Sequence, residues 1–218
     1  MAEELDTWRE RALAVGCASL VDAMMRTHGH RATLPALASP TPERALFGPV
    51  VTMQFLPTRD DLPAKDGAPV KDRGFGDVFA EAVHDAPPGT VLVISSGGYP
   101  DVSHAGGVKL SRAQRHQLAG VLADGQLRDF AELASMDFAT WCRGEAVRWG
   151  GDSVMPAAAN VTVEVAGVTI VPGDYVYVDS AGGVVIPAAS LETVLTEAET
   201  IVRDDEGYQR KIESGDMT

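Results

Sequence analysis

Gly120-Val-Leu-Ala-Asp124-Gly125-Gln-Leu-Arg128-Asp129 reads as a short apolar strand, a glycine turn and an exposed Arg-Asp pair. Strand ends are where α/β proteins commonly place their chemistry. A guanidinium grips a carboxylate through two parallel hydrogen bonds, and a neighbouring carboxylate holds a divalent cation. Taken alone, an Arg-Asp dipeptide is more often an ordinary surface ion pair beside a turn. The surrounding chain has to decide between the two.

Upstream, Val91-Leu-Val-Ile94 is a second apolar run, ended by Ser95-Ser-Gly-Gly98, and it reads as a buried strand. Residues 46–55 are rich in β-branched side chains and form a third strand candidate. Between these strands, residues 77–83 and 107–118 have helical character, and 103–107 reads as a glycine-bearing loop. Residues 130–136 form a brief helix and 139–142 a further strand. Near the start, Leu5, Trp8, Ala12, Leu20, Val21 and Met24 have helical spacing, with Gly16 dividing two helices. Residues 57–76 are dense in Pro, Asp, Lys and Gly and read as an exposed loop. The C-terminal third changes character: 161–165, 168–170, 175–178 and 184–186 alternate between tight turns, as in a β-meander. A final helix, about 190–213, carries a stripe of Leu191, Val194, Leu195, Ala198, Ile201 and Val202, with Ser190 as its cap. The fold class is therefore α/β, one domain over 1–218, with outer helices.

The chain of 218 residues carries 31 acidic against 18 basic side chains, a net charge of −13. That balance disfavours binding nucleic acid through phosphates and suits a basic protein partner. An anionic substrate remains compatible, because a local Arg and a cation reverse the field inside a pocket. No apolar run reaches the length of a membrane span. The acidic start, without a signal-peptide pattern, leads us to expect a cytoplasmic protein. Cys17 and Cys142 lack metal-type spacing and read as buried free thiols.

Several stretches together resemble one family. They are Leu46-Phe-Gly-Pro-Val-Val-Thr52, Pro88-Gly-Thr-Val-Leu-Val-Ile94, the Gly120–Asp129 segment and Phe138-Ala-Thr-Trp-Cys-Arg-Gly144. The last is Val165-Ala-Gly-Val-Thr-Ile-Val-Pro-Gly-Asp-Tyr-Val-Tyr-Val-Asp179, continuing to Val184-Val-Ile-Pro187. In order and spacing they resemble the regulator of ribonuclease E activity A (RraA-like) family, over about 46–187. That family includes 4-hydroxy-4-methyl-2-oxoglutarate/4-carboxy-4-hydroxy-2-oxoadipate aldolases. The resemblance implies a swivelling β/β/α fold, assembled as a homotrimer or hexamer with sites between subunits. It implies that Arg128 binds a pyruvate-like carboxylate and that Asp129 anchors Mg²⁺ or Mn²⁺. The loop Gly106-Gly107-Val108-Lys109 would present backbone N–H groups to the substrate. Family aldolases complete the metal shell with an acid from a neighbouring subunit's last helix, for which Glu199 and Glu206 are the candidates.

One departure stands out. The aldolases carry an acidic residue directly after the loop glycine, and Gly107 occupies that position here. A register slip of one residue changes nothing, since no Asp or Glu lies between His104 and Lys109. Tyr99, Asp101 and His104 precede the loop. His104 titrates near neutrality and is the candidate acid–base group, with a loop-capping histidine as the equal alternative. Lys109 reads first as a solvated lysine at a helix start, second as a substrate anchor and last as a Schiff-base amine. His28-Gly29-His30 has metal-type spacing but no third ligand nearby, so a turn is the better reading. Asp124, Asp174 and Asp179 read as structural or turn-forming residues.

The resemblance implies a divalent-metal-dependent lyase. It would perform retro-aldol cleavage, decarboxylation or both on a small 2-oxo dicarboxylic acid or related carbonyl compound, through a metal-stabilised enolate, with Gly107 in place of the loop acid pointing to a specialised variant of that reaction. The alternative is a non-catalytic acidic regulator that binds and inhibits a ribonuclease.

Overall fold

The computed structural model describes residues 2–62 and 72–215. Part of the 57–76 loop expected from sequence lies outside those residues. The remainder runs into a helix that begins at Phe75 rather than after the loop.

The spine is a long strand, β2 (Leu46–Pro57), preceded by α1 (Ala2–His28) and the short β1 (Thr33–Leu34). Gly16 breaks α1 with a φ of 74°, so the helix bends where the sequence places its division. From β2 the chain passes through α2 (Phe75–Val83) to β3 (Val91–Ile94), then through β4 (Ser103–Ala105) and α3 (Gly107–Arg115) to β5 (Gly120–Ala123). It continues through β6 (Gln126–Leu127) and α4 (Phe130–Ala134) to β7 (Ala139–Trp141). Strands β2, β3, β5 and β7 are parallel neighbours in that order. Parallel strands need crossover connections, and the helices supply them.

Both faces of this parallel group are covered, which is why β3 and β5 read as unbroken apolar runs. Leu92, Ile94, Val121 and Ala123 point toward α2 and α3, where they meet Val78, Phe79 and Leu110. Their alternates Val91, Val93 and Leu122 point the other way, onto Val163, Val165 and Ile170. Those last residues belong to the hairpin β9 (Val163–Val165) and β10 (Val168–Ile170).

The remaining strands are β8 (Val154–Ala159), β11 (Tyr175–Asp179) and β12 (Gly182–Ile186). The sheet order is β1-β12-β11-β2-β3-β5-β7, with β8 pairing the far half of β2. The continuous meander expected from sequence is therefore corrected to two separate hairpins. After Pro172 the backbone turns to Val50: the Gly173 N–H donates to its carbonyl, and its N–H donates to the Asp174 carbonyl. This captures β11 for the main sheet and leaves β9–β10 on its own. Finally α5 (Leu191–Ser214) packs with α1 on the outer face, burying Leu20, Met24, Val194 and Leu195 against Phe47 and Ile186. Ser190 does stand at the head of α5, but its side chain makes no capping bond.

Both cysteines are buried free thiols. Burial pushes Cys17 up to about 12 and Cys142 up to about 11, so neither is nucleophilic at neutral pH. Among the described residues no helix is long and apolar enough to cross a membrane.

Candidate active site

Beyond β5 the chain is tied down before it reaches Arg128. The Asp124 N–H donates to the carbonyl of Ile94 at 2.9 Å, which anchors the turn on the end of β3. Asp124 is buried, 4% exposed, and its carboxylate is fully engaged. It accepts from the Ser96 hydroxyl at 2.6 Å, from Arg143 Nε and Nη2 at 3.0 and 2.7 Å, and from the Ala166 N–H at 3.0 Å. One buried carboxylate thus fastens the ends of β3 and β5, the segment after β7 and the β9–β10 hairpin. A buried charge satisfied this fully is tolerated, whereas an unpaired one is not.

From that turn, β6 pairs in parallel with β4. The Arg128 N–H donates to the Ala105 carbonyl at 2.9 Å. Asp129 then adopts φ 65° and ψ 45°, a left-handed conformation uncommon for a non-glycine residue and concentrated at functional sites. Its Oδ2 accepts the Gly107 N–H at 3.1 Å. The pair read from the sequence and the loop 22 positions upstream therefore meet side by side.

Arg128, Asp129, Gly106, Val108 and Lys109 line one small cavity of about 80 Å³, together with Trp149. A neighbouring cleft of about 210 Å³ shares Lys109 and Trp149 and continues past Phe55, Arg73 and Phe75. A larger cavity, about 530 Å³, opens at the opposite end of the strands beside Arg9, Arg44 and Gly89. The smaller site is the candidate for chemistry, because it lies at the carboxyl ends of the parallel strands, where open α/β sheets bind ligands, and brings Arg128, Asp129 and Lys109 together.

Two cations face this site. Lys109 is half-buried, with Nζ 3.4 Å from the His104 carbonyl and 5.2 Å above the Phe75 ring. Burial holds its pKa below the usual lysine value, and the charges of Arg128 and Arg112 add to the effect. Lys109 is thus no freely solvated lysine. A local positive field exists here despite the net charge of −13.

His104 is placed differently from the sequence expectation of an acid–base group. It is 2% exposed, with Nδ1 2.9 Å from the Val102 carbonyl and Nε2 3.0 Å from that of Ser96. Its ring lies edge-on to Phe55 at 4.9 Å, and a Cβ at position 125 would strike it, so Gly125 makes its slot. Burial pushes its pKa down and outweighs the two carbonyls, which favour the charged ring. Each nitrogen faces a carbonyl, to one of which the neutral ring donates, so the ring braces the loop. The Gly107 N–H is likewise taken, by Asp129, rather than open to a substrate. Tyr99 is outside the cavity, and Asp101 lies 3.6 Å from Arg148. His28 and His30 stack loosely at 5.7 Å where α1 ends.

Asp129 is the carboxylate at this cavity that could hold a metal. Its Oδ2 accepts the Gly107 N–H, and no group of three His, Cys, Asp or Glu side chains gathers among the described residues. One carboxylate with the rest of the shell left to water and substrate oxygens fits a hard, hydrated cation such as Mg²⁺. Of the two acids considered on the last helix, Glu199 is engaged by Arg11 of its own chain at 2.6 Å. Glu206 has only a loose Arg210 contact at 3.8 Å. Sequence reading did not single out Trp149, or Glu132 on α4. The only signal for Glu132 was an acid three residues after Asp129.

A family model described as "RraA-like: Aldolase/RraA" matches residues 17–186. A Halalkalibacterium halodurans protein named "Putative 4-hydroxy-4-methyl-2-oxoglutarate aldolase" is 33% identical over 137 residues, covering 63% of this chain and 65% of that protein. A crystal structure of an uncharacterized protein from Pseudomonas syringae pv. tomato superposes with a TM-score of 0.76 at 23% identity, covering 96% of this chain and 94% of that one. Streptomyces coelicolor RraAS2, described as an unusual member of the RNase ES inhibitor RraA protein family, gives a TM-score of 0.73 at 23% identity, covering 89% and 91%. At those identities the two structures bear on the fold alone. The matched region runs from the middle of α1 to the end of β12 and contains every residue of the site just described, and on that basis the chain belongs to the RraA-like family.

Proposed function

We propose that the protein is a divalent-metal-dependent lyase that cleaves or decarboxylates a small 2-oxo dicarboxylic acid. The observation that carries this reading is the meeting of Arg128 and Asp129 with the Gly106–Lys109 loop at the strand ends. Arg128 would take the carboxylate next to the 2-oxo group in a two-pronged grip. Lys109, on the wall shared with the larger cleft, would take the second carboxylate. Asp129 would hold Mg²⁺ or Mn²⁺, which supplies Lewis acidity for an enolate forming beside a carboxylate. The same electron sink serves retro-aldol cleavage and loss of carbon dioxide. Trp149 and Val108, 59% and 77% exposed, flank the cavity as apolar surface. They are apolar surface that a second copy would cover if, as the resemblance implies, the protein assembles as a homotrimer or hexamer.

The experiment is pyruvate release from oxaloacetate and from a 4-hydroxy-2-oxo diacid, with and without Mg²⁺ or Mn²⁺. Arg128→Ala should lower it by about 100-fold or more, the scale of losing one charge-stabilising group. Release that is equal in wild type and Arg128→Ala refutes the reading.

A second reading rests on the charge of −13 and the exposed run Asp204, Asp205 and Glu206 on α5. Both suit capture of a basic, arginine-rich ribonuclease by a non-catalytic regulator. Salt-sensitive, metal-independent binding of a ribonuclease, without pyruvate release, would favour it.

A further inference from the structure

Position 107 has no side chain, yet the space a side chain would fill is occupied. A Cβ built on Gly107 would fall 2.6 Å from Glu132 Oε1 and closer still to Oε2. The same holds one residue earlier, where a Cβ on Gly106 would press against Asp129 Oδ2 and lie 3.2 Å from Arg128 Cβ. Two successive glycines thus make room for two carboxylates, both from the segment 128–132. Neither glycine has the positive φ that would call for glycine on backbone grounds, and the atoms a Cβ at 107 would meet are the carboxylate end of the exposed Glu132 side chain.

Glu132 is the third residue of α4, where a glutamate ordinarily folds back to cap the helix. Here it leans over Gly107 instead. It is exposed, and no salt bridge among the described residues engages it. Around the cavity, Asp129 accepts the Gly107 N–H, Lys109 faces the His104 carbonyl, and both nitrogens of His104 face carbonyls.

We propose that Glu132 is the acid–base residue of this site, supplying from α4 the carboxylate that the 106–109 loop lacks. This rests on the lyase reading above and names the proton carrier for it. In cleavage, Glu132 takes the proton of the 4-hydroxyl, directly or through one water. The C3–C4 bond breaks, the hydroxyl carbon becomes a carbonyl, and the bonding pair passes into the enolate of the 2-oxo acid. Glu132 then returns a proton to C3, so the proton count closes. Run on pyruvate alone, the same residue removes and returns a methyl proton.

The test is exchange of the pyruvate methyl protons with D₂O, followed by ¹H NMR in the presence of Mg²⁺, with Mn²⁺ affinity measured separately by calorimetry. Glu132→Gln should slow exchange by about 100-fold or more and leave Mn²⁺ affinity unchanged. Moving the carboxylate, in Gly107→Asp with Glu132→Ala, should recover at least about tenfold over Glu132→Ala alone. Undiminished exchange by Glu132→Gln overturns the assignment and leaves the lyase reading standing. Loss of Mn²⁺ binding in Glu132→Gln also overturns it, making Glu132 a metal ligand. Absence of exchange in the wild type overturns the lyase reading and this assignment with it.

Discussion

Replacing Asp124 by alanine tests how the turn that carries Arg128 is held. The substitution deletes four accepted hydrogen bonds, two of them from the Arg143 guanidinium, at 2.6–3.0 Å. It leaves the Ser96 hydroxyl and the Ala166 N–H without their acceptor, and a guanidinium whose side chain is 34% exposed. Breaking a fully buried pair costs about 3–5 kcal/mol, and the partial exposure of Arg143 points to the lower end, about 3 kcal/mol. For a chain of this size each kcal/mol lowers Tm by about 2–4 °C, so a drop of about 6–12 °C is expected. Thermal unfolding followed by circular dichroism reads it directly. A double-mutant cycle with Arg143→Met should return a coupling of about 1–3 kcal/mol. A Tm within about 2 °C of wild type, or no coupling, would refute the idea that this network clamps the strand ends.

Two further outcomes follow from the same geometry. Because burial lowers the pKa of His104 in the folded state, the unfolded chain binds its proton at higher pH. Its contribution to stability is full above the ordinary histidine pKa of 6.5 and is lost as pH falls from there through the lowered value. The decline in Tm between about pH 7 and 5 should be shallower in His104→Asn, and an identical slope would contradict the buried neutral ring. Lys109→Met should raise KM for a 2-oxo diacid about tenfold and leave a 2-oxo monoacid unaffected, the scale of one hydrogen bond to a charged group. With its pKa held below the usual lysine value, wild-type preference for the diacid should fade at a lower pH than an ordinary lysine gives; equal KM changes for both substrates would remove Lys109 as the second anchor.

The parts of the fold legible in the sequence are those whose signal is local. Val91–Ile94 and Gly120–Ala123 announced themselves as buried strands because both of their faces are covered. The α5 stripe did so through its 3.6-residue period. Strand β8 went unread because Val-Met-Pro-Ala-Ala-Ala carries weak strand propensity and a proline; Pro156 sits on a strand that pairs only with β2, opposite Phe55 and beside a register shift. The pairing of β11 with β2 depends on Val50, more than 100 residues away, which no local pattern encodes.

The site divides in the same way. Arg128 and Asp129 were visible as charged residues after a glycine turn, and the structure places them together. His104 looked like chemistry because it precedes the glycine loop and histidine titrates near neutrality, but its environment is set by Gly125, Ser96 and Phe55 arriving from elsewhere. Glu132 was passed over because its nearness to Gly107 is a tertiary fact.

The central claim is that Arg128 and Asp129 form one site for a metal and a 2-oxo carboxylate. The most direct measurement is a calorimetric titration of oxalate, a planar mimic of the enolate, with and without Mn²⁺. It would use the wild type, Arg128→Ala and Asp129→Asn. Mutually reinforcing binding in the wild type is expected, lost in both variants, with Asp129→Asn alone losing affinity for Mn²⁺ in the absence of oxalate. Oxalate and Mn²⁺ binding independently of each other, or undiminished in the two variants, would contradict it.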